Sequence, residues 1–504
     1  MVELDVLKIQ DSAMRADYEK FPELPPGCRF NHNKKTGATQ VYRLGKDRTP
    51  GCEMKRESVG YIRDGVFKPS ERWLMTQQLI ALNQENKNLR TGAARDNRKH
   101  KAEAVTAFSK IHEAVKATEV EFRKESHCSI PMDALMMGAI LNALTGDADC
   151  VSIGDFMTRN KELFHQYIPE GDFENVSHDT VRRSLMLLNP EKFEQFLLHL
   201  LEPLVKKSVR RVLAADGQAI KASGRMSVGK DGKERMSGHY MVMNIYDTSN
   251  RVTLAQEVID KKTNEITVGP RLLEGLKIDG CVVTADALSC QINFVKTVLR
   301  KNAHYCISLK GNQDKTWDEV QCLFNTTHPD QIFHLIGKVE LDHGRIERRD
   351  ISMIRGALLS KPIKEKWPGL AEGAIVKIAS HRERKRTGVK TDEDRYYITS
   401  MQANEKNLAE MAQVIRSHWG VENNLHYMLD THFGQDRMQS SDPTYLVNRE
   451  GLHKLALALL ENYRFYLWDT NQADASLSIH ILQQRCRDPR EGIRCLGYAL
   501  GWLN

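Results

Sequence analysis

The segments VLAAD, residues 212–216, and CVVTAD, residues 281–286, each run through apolar residues and end in an aspartate. Because Asp is a poor strand former, an aspartate where a buried strand emerges calls for a reason. One interpretation is that Asp216 and Asp286 each cap the turn or helix that follows. The other is that carboxylates on neighbouring strand ends bind a divalent cation such as Mg²⁺, which takes oxygen ligands. Two such strand ends in one sheet favour the second interpretation.

The residues around these segments predict a mixed sheet with helices on its faces. Strands are expected at 212–216, 240–246, 252–259, 281–286 and 304–309, and helices at 266–276 and 291–301. The first three strands are joined by short turns, which suits antiparallel pairing. The later strands are separated by helices, which suits parallel pairing. The expected fold class is therefore α/β.

A third carboxylate is expected on a helix over residues 408–429, which contains the segment IRSHWGVENNLHYMLD. Helical spacing puts six of its residues on one broad face: Ile415, His418, Glu422, Leu425, His426 and Leu429. Since the apolar members would anchor that face on the core, Glu422 is expected to point inward, where an ionised carboxylate is costly without a cation. The neighbouring Trp419 is interpreted as a core residue rather than as a platform for a flipped base.

Six motifs in this order resemble the DDE transposases of bacterial insertion sequences, in the H-repeat-associated, ISAs-type branch. They are DGQAIK at 216–221, KKTNEI at 261–266, TADALSCQ at 284–291, SLKGNQ at 308–313, HGRIERR at 343–349 and HWGVENNLHYMLD at 418–430. The resemblance covers about residues 130–460. No single motif would be specific, but six in order are.

The resemblance implies an RNase H-like core of the retroviral-integrase type, with Asp216, Asp286 and Glu422 as catalytic residues and metal ligands. It also implies a DNA transposase that uses Mg²⁺, for which Mn²⁺ can substitute, to cleave insertion-sequence ends and transfer the strands to target DNA. In the two-metal scheme, two ions lie ~3.5–4 Å apart in each active site. Asp216 would bridge them, Asp286 would complete one shell and Glu422 the other. No organic cofactor is required.

Several further residues are candidates for contacting DNA. Lys310, Asn312 and Gln313 follow a core strand and are expected to reach phosphates. His343, Arg345 and Arg349 alternate along a predicted strand, so they share one face and form either a DNA-facing strip or an ordinary exposed surface.

Other DNA-contact candidates lie on helices. Arg182 and Arg183 follow a predicted N-cap at Ser177, as a helix-turn-helix recognition element can begin; the alternative is an exposed pair on a packing domain. Related enzymes carry a Tyr, an Arg and a Lys around the glutamate, where this chain has Ile415, His418 and Leu429. His418 would supply the basic function.

Residue Glu265 in KKTNEI has two interpretations. With Asn264 it could support the active site, or it could cap the helix that begins near residue 266. Capping is the interpretation favoured by the sequence.

The chain divides into five predicted regions. They are a basic β-ribbon arm at 1–75, a helix and basic linker at 76–128, a helical transposase-associated domain at 129–206, the catalytic core at 207–435 with a β-rich insertion at about 321–395, and a helical C-terminal region at 436–504. The arm and linker carry most of the charge: residues 29–101 contain 17 basic and 7 acidic residues, a net charge of +10, within a chain whose total is +7. That polycation is expected to hold DNA.

Composition excludes several classes of protein. The longest apolar stretch, 134–144, is far shorter than the ~20 residues that cross a bilayer, and the first twenty residues are too charged for a signal peptide. The ten cysteines include no C-x-x-C pair, so a zinc site is not expected. We expect a protein of the bacterial cytoplasm that binds double-stranded DNA, at the element's terminal repeats and at the target, as a homodimer. A nuclease without strand transfer and a catalytically inactive DNA-binding protein remain alternatives.

Overall fold

The computed structural model describes residues 24, 28–32, 38–44, 56–123, 128–205, 211–228, 234–259, 265–342, 344–440, 442–473 and 476–503. Two of the residues discussed above, Asn264 and His343, lie outside this set. The chain forms two compact units, Met1–Lys101 and Ala102–Asn504.

The first unit contains an antiparallel sheet of four strands in sequence order. They are β1 Arg29–His32, β2 Thr39–Leu44, β3 Arg56–Arg63 and β4 Val66–Pro69. Val41 and Val59 are fully buried at its small core. The helix α1, Glu71–Thr118, follows Ser70, whose hydroxyl accepts a hydrogen bond from the Trp73 backbone at 3.3 Å.

Helix α1 is continuous through the stretch in which the sequence predicted a basic linker, so that expectation is wrong. The segment NKNLRTGAARDNRKHK, residues 86–101, consists largely of residues with fair helix propensity. Its one glycine costs only ~1 kcal/mol relative to alanine, which a long helix tolerates.

Five further helices lie between α1 and the central sheet in the described chain. They are α2 Met132–Ala143, α3 Cys150–Arg159, α4 Lys161–Tyr167, α5 His178–Leu187 and α6 Pro190–Leu201. Helix α2 is buried on nearly every side, as is usual for a helix at the centre of a domain. Helix α5 begins where the Ser177 hydroxyl accepts a hydrogen bond from the Thr180 backbone at 3.2 Å, which confirms the predicted N-cap.

The central sheet is mixed, as the sequence predicted. Its elements are β5 Val212–Ile220, β6 Arg225–Val228, β7 Glu234–Ser237, β8 Tyr240–Asp247, β9 Val252–Ile259, α7 Glu265–Glu274, β10 Val282–Ala285, α8 Ile292–Arg300 and β11 His304–Leu309. Strands β11, β10 and β5 are parallel neighbours, and β5, β8 and β9 are antiparallel neighbours. Strands β6 and β7 form a separate hairpin.

The β-rich insertion extends this same sheet. It contains α9 Asp314–Thr326, β12 Phe333–Leu335, β13 Glu340–Asp342, β14 Arg345–Arg355, α10 Lys361–Lys366, β15 Ala374–Arg384 and β16 Lys390–Thr399. Strand β16 pairs with β11, which gives the order β12-β14-β15-β16-β11-β10-β5-β8-β9, with β13 also paired to β14.

The last part of the chain is helical. It contains α11 Glu405–Gly420, a π-helical turn Val421–His426, α12 Tyr427–Phe433, α13 Pro443–Asp469, α14 Ile479–Arg485 and α15 Pro489–Ala499. The π-helical turn interrupts the single helix that the sequence predicted over 408–429. Helix α13 is the main buried helix and packs on β9, α6 and α15. None of the helices in the described ranges is both long and apolar enough to span a membrane.

Candidate active site

Asp216 and Asp286 lie side by side on neighbouring parallel strands. Residues 212–215 of β5 pair in register with 282–285 of β10, so Ala215 lies opposite Ala285 and the two aspartates follow together. Only Asp286 stands at a strand end. The expectation of a strand end at Asp216 is wrong, because β5 continues to Ile220 as the antiparallel partner of β8. Asp216 marks the point at which the parallel pairing stops.

The carboxyl group of Asp216 lies in an acidic and largely buried environment. Its side chain is 21% exposed. Burial is the main cause that raises the pKa of Asp216 from 3.8 to about 7, and the charges of Asp286, Glu265 and Glu422 raise it further. The negative charges of three other carboxylates therefore disfavour ionisation of Asp216.

Asp286 also caps the turn that follows it. Its Oδ1 atom accepts hydrogen bonds from the backbone N–H groups of Leu288 at 3.0 Å and Ser289 at 3.1 Å. Capping and metal binding are therefore not exclusive alternatives, because Oδ1 accepts the hydrogen bonds of the turn and Oδ2 is left for a cation. This capping fixes the orientation of the side chain.

Asn312 and Gln313 hold the same turn from outside. The amide of Asn312 donates to the Ala287 carbonyl at 2.6 Å, and the amide of Gln313 donates to the Cys290 carbonyl at 2.9 Å. Both side-chain amides, which were predicted to reach DNA phosphates, thus donate hydrogen bonds within the protein. Lys310, at the end of β11, is exposed.

Glu422 lies in the π-helical turn and is exposed, so the prediction that it points inward is wrong. Glu422 is the second residue of this turn, whose i→i+5 pattern departs from the 3.6-residue spacing that predicted its orientation. Ile415, Leu425 and Leu429 are buried, as predicted. Trp419 is 42% exposed, with the guanidinium of Arg395 over its ring at 5.1 Å, so its interpretation as a core residue is also wrong.

Two histidines of α11 and the π-helical turn face the strands that carry the aspartates. His418 Nδ1 lies 3.0 Å from Thr284 Oγ1, and burial lowers the pKa of His418 more than Asp286 raises it. His418 therefore favours the neutral form, and its basic function in the site stays a prediction. His426 Nδ1 lies 3.7 Å from Asp216 Oδ2.

Burial, reinforced by Lys454 and His418, lowers the pKa of His426 to about 3. The contact with Asp216 is consequently not an ion pair at neutral pH.

Glu265 is a further acidic residue close to Asp216; its sequence allowed support of the active site or helix capping and favoured capping. It is the first residue of α7. A Cβ atom on Gly217 would lie 2.3 Å from Glu265 Oε1, so the carboxyl group sits directly on the backbone next to Asp216. The sequence signal for this contact was Gly217, which follows Asp216 in DGQ, because a glycine lets another side chain approach the backbone closely.

The donor set suits a hard divalent cation. Carboxylate oxygens are the ligands that Mg²⁺ prefers, and a cation would relieve the repulsion that raises the pKa of Asp216. Two buried polar atoms near these groups, Gln218 Oε1 and His426 Nε2, have no hydrogen-bond partner within the described part of the chain. The described residues contain no group of three His, Cys, Asp or Glu side chains already gathered closely enough to hold a metal ion.

The remaining DNA-contact candidates lie on α5 and β14, which carry none of these carboxylates. Arg182 and Arg183 are exposed on α5. Arg345 and Arg349 lie on β14, where both contact Glu347, at 3.4 and 2.8 Å, and Arg349 also contacts Glu340 at 3.1 Å. The two arginines therefore belong to an ion-pair network within the sheet.

Comparison with known proteins gives one family for the region that contains this site. The family described as "Transposase DDE domain" matches residues 207–459, which is half of the chain. This match implies an RNase H-like fold, in agreement with the mixed sheet.

Curated relatives from two organisms are similar to the chain. The "H repeat-associated putative transposase YhhI" of Escherichia coli (strain K12) is 26% identical over 358 residues, covering 69% of this chain and 89% of the relative. The "H repeat-associated putative transposase YbfD" of the same strain is 27% identical over 234 residues, covering 45% and 88%. The "Uncharacterized protein in dhlA 3'region" of Xanthobacter autotrophicus is 31% identical over 266 residues, covering 52% and 84%.

Proposed function

This chain belongs to the DDE transposase family, in its H-repeat branch, and from that membership we propose that it cleaves the ends of an insertion sequence and joins them to target DNA. The reaction would depend on Mg²⁺, with Mn²⁺ as a substitute. Double-stranded DNA would be the substrate, both as terminal repeats and as target. The family membership supports a protein that acts on DNA.

One observation carries the chemical part of the proposal. Asp216 and Asp286 follow paired residues of two parallel strands, and Glu422 acts electrostatically on the same carboxyl group. Carboxylates on rigid strands are held where a cation can bridge them, because the backbone pairing fixes their separation. Asp216, Asp286 and Glu422 would hold the metal.

When bound, divalent cations would activate a water or DNA 3′-hydroxyl and stabilise the departing oxygen. The protein's own residues contribute orientation. The backbone of the turn that follows Asp286 donates hydrogen bonds to Asp286 Oδ1. The side-chain amides of Asn312 and Gln313 donate hydrogen bonds to carbonyl groups of that same turn. Glu422 is exposed, so it can move toward the aspartates without first leaving a packed position.

Binding of DNA would rest on the basic N-terminal region and on lysines and arginines of the core. Residues 29–101 carry a net charge of +10, and Lys310 and the Arg182–Arg183 pair are exposed. Phosphate contacts of this kind position a protein on DNA without specifying the sequence. Because an element has two ends, we propose that a homodimer processes them as a pair.

The test uses purified protein, Mg²⁺ and labelled DNA that carries the element's terminal repeats. Wild type is expected to nick that DNA and to join its 3′ ends to a target plasmid, whereas Asp286→Ala does neither. Nicking without joining would identify a nuclease. Retention of both reactions in Asp286→Ala, or DNA binding by wild type with neither reaction, would overturn the catalytic proposal.

A further inference from the structure

Gly217 is packed against a carboxylate that does not belong to the predicted triad. The ideal Cβ position of Gly217 lies 2.3 Å from Glu265 Oε1 and 2.9 Å from Glu265 Cδ. Any other residue at 217 would push the Glu265 side chain away. The sequence thus provides space beside Asp216 for the charged end of Glu265.

The two carboxylates reach this point from opposite faces of the sheet. Successive side chains of a strand alternate, so Asp216 points to one face and position 217 to the other. In the described sheet, the pairing of β5 with β10 ends at Ala215 and Ala285, which leaves the edge of β5 open beside Asp216. Groups from both faces can meet at that open edge, where Asp286 also lies.

Helix α7 fixes Glu265 at this location. Glu265 is its first residue, and α7 packs on β8, which pairs with β5, and on β9, which pairs with β8. Val268 and Leu273 are fully buried, so the helix is anchored by its apolar face and not by its acidic end.

We propose that Glu265 is a fourth carboxylate ligand of the divalent-cation site, which it forms with Asp216, Asp286 and Glu422; this inference rests on the proposed function. Four carboxylates carry a charge of −4, which two divalent cations balance. A half-buried carboxylate that lies close to other carboxylates destabilises the folded protein unless a cation compensates the negative charge. Helix capping alone would not require the neighbouring glycine.

The experiment measures binding of Mn²⁺ to the full-length protein without DNA, from the electron paramagnetic resonance signal of free Mn²⁺. Wild type is compared with Glu265→Gln, Asp216→Asn and the control Glu274→Gln. Glu274 is the last residue of α7 and forms an ion pair with Arg300, so its substitution changes the same helix away from the site. Glu265→Gln is expected to weaken Mn²⁺ binding about tenfold or more, and Glu274→Gln to leave it unchanged.

A second variant keeps the inference testable if Glu265→Gln does not fold. Gly217→Ala retains the carboxylate but displaces it, so it should weaken Mn²⁺ binding as well. Binding equal to wild type in folded Glu265→Gln or in Gly217→Ala, with a loss in Asp216→Asn, would overturn the role of Glu265 and leave the proposed function intact. Unchanged binding in Asp216→Asn would instead overturn the proposed function.

Discussion

The ammonium group of Lys454 lies 2.5 Å from the side-chain amide oxygen of Asn244, which is the residue paired with Asp216 across β5 and β8. Lys454 also donates to Gln256 Oε1 at 2.7 Å and lies 3.0 Å from Glu450 Oε1. The side chains of Lys454 and Glu450 are 3% and 0% exposed. Helix α13 therefore places a buried ammonium group in contact with three polar side chains. One of them, Asn244, lies on β8, the strand that pairs with β5 at Asp216.

Lys454→Met is expected to destabilise the protein by ~3–5 kcal/mol, because it leaves Glu450 as a buried charge without its cation and Asn244 without a donor. The free energy of unfolding in urea measures this loss. The double variant Lys454→Met/Glu450→Gln should recover part of it, since no uncompensated charge remains. If the single and double variants are equally destabilised, the ion pair is not the cause.

The pH dependence of stability should report on Asp216. Its pKa is about 7 in the folded protein and 3.8 ordinarily, so the folded state binds more protons than the unfolded state between these values. Stability of the metal-free protein should accordingly be greatest below pH 4 with respect to this group and fall as the pH rises to 7. The difference corresponds to roughly 4 kcal/mol of unfavourable ionisation in the folded state.

Asp216→Asn removes that ionisation. In thermal unfolding without metal, the melting temperature of this variant should therefore exceed that of wild type at pH 8 and approach it at pH 5. Mg²⁺ should raise the melting temperature of wild type more at pH 8 than at pH 6, since it must displace the proton. A wild-type response to Mg²⁺ that does not change with pH would contradict this prediction.

Asn312→Ala and Lys310→Ala should separate orientation of the active site from DNA binding. Loss of the Asn312 amide frees the turn that holds Asp286, so metal affinity and strand joining should fall while the salt dependence of DNA binding is unchanged. Lys310→Ala should reduce the salt slope by about 1 if Lys310 contacts a phosphate, and leave metal affinity unchanged. Fluorescence anisotropy over a salt series measures the slopes.

The strands and the two aspartates were predictable because their signals are local. The apolar run that ends in Asp286 identifies this position from a few neighbouring residues alone. Strand direction follows from the connections, because short turns join antiparallel strands and helical crossovers join parallel ones. The orientation of Glu422 was not predictable. Glu422 lies in a π-helical turn, whose i→i+5 pattern is not described by the 3.6-residue spacing of an α-helix.

The surroundings of Glu265 and Lys454 were not predictable, for a different reason. Each looks ordinary in its own segment, as an acidic residue at a helix start and as a lysine in an amphipathic helix. Each makes its close contact with a distant part of the chain, Glu265 with Gly217 and Lys454 with Asn244. Sequence spacing within one element contains no information on such contacts.

Deletion of residues 1–101 should flatten the salt dependence of DNA binding. Those residues form the first compact unit, and 29–101 carry a net charge of +10, so their removal should reduce the number of counterions released on binding. The slope of the logarithm of affinity against the logarithm of salt concentration, measured from ~50 to ~200 mM, reports that number. Asp286→Ala serves as a matched control that should keep the wild-type slope, because it alters a carboxylate of the active site and none of the basic residues. An unchanged slope in a folded deletion variant would place the main phosphate contacts on residues 102–504.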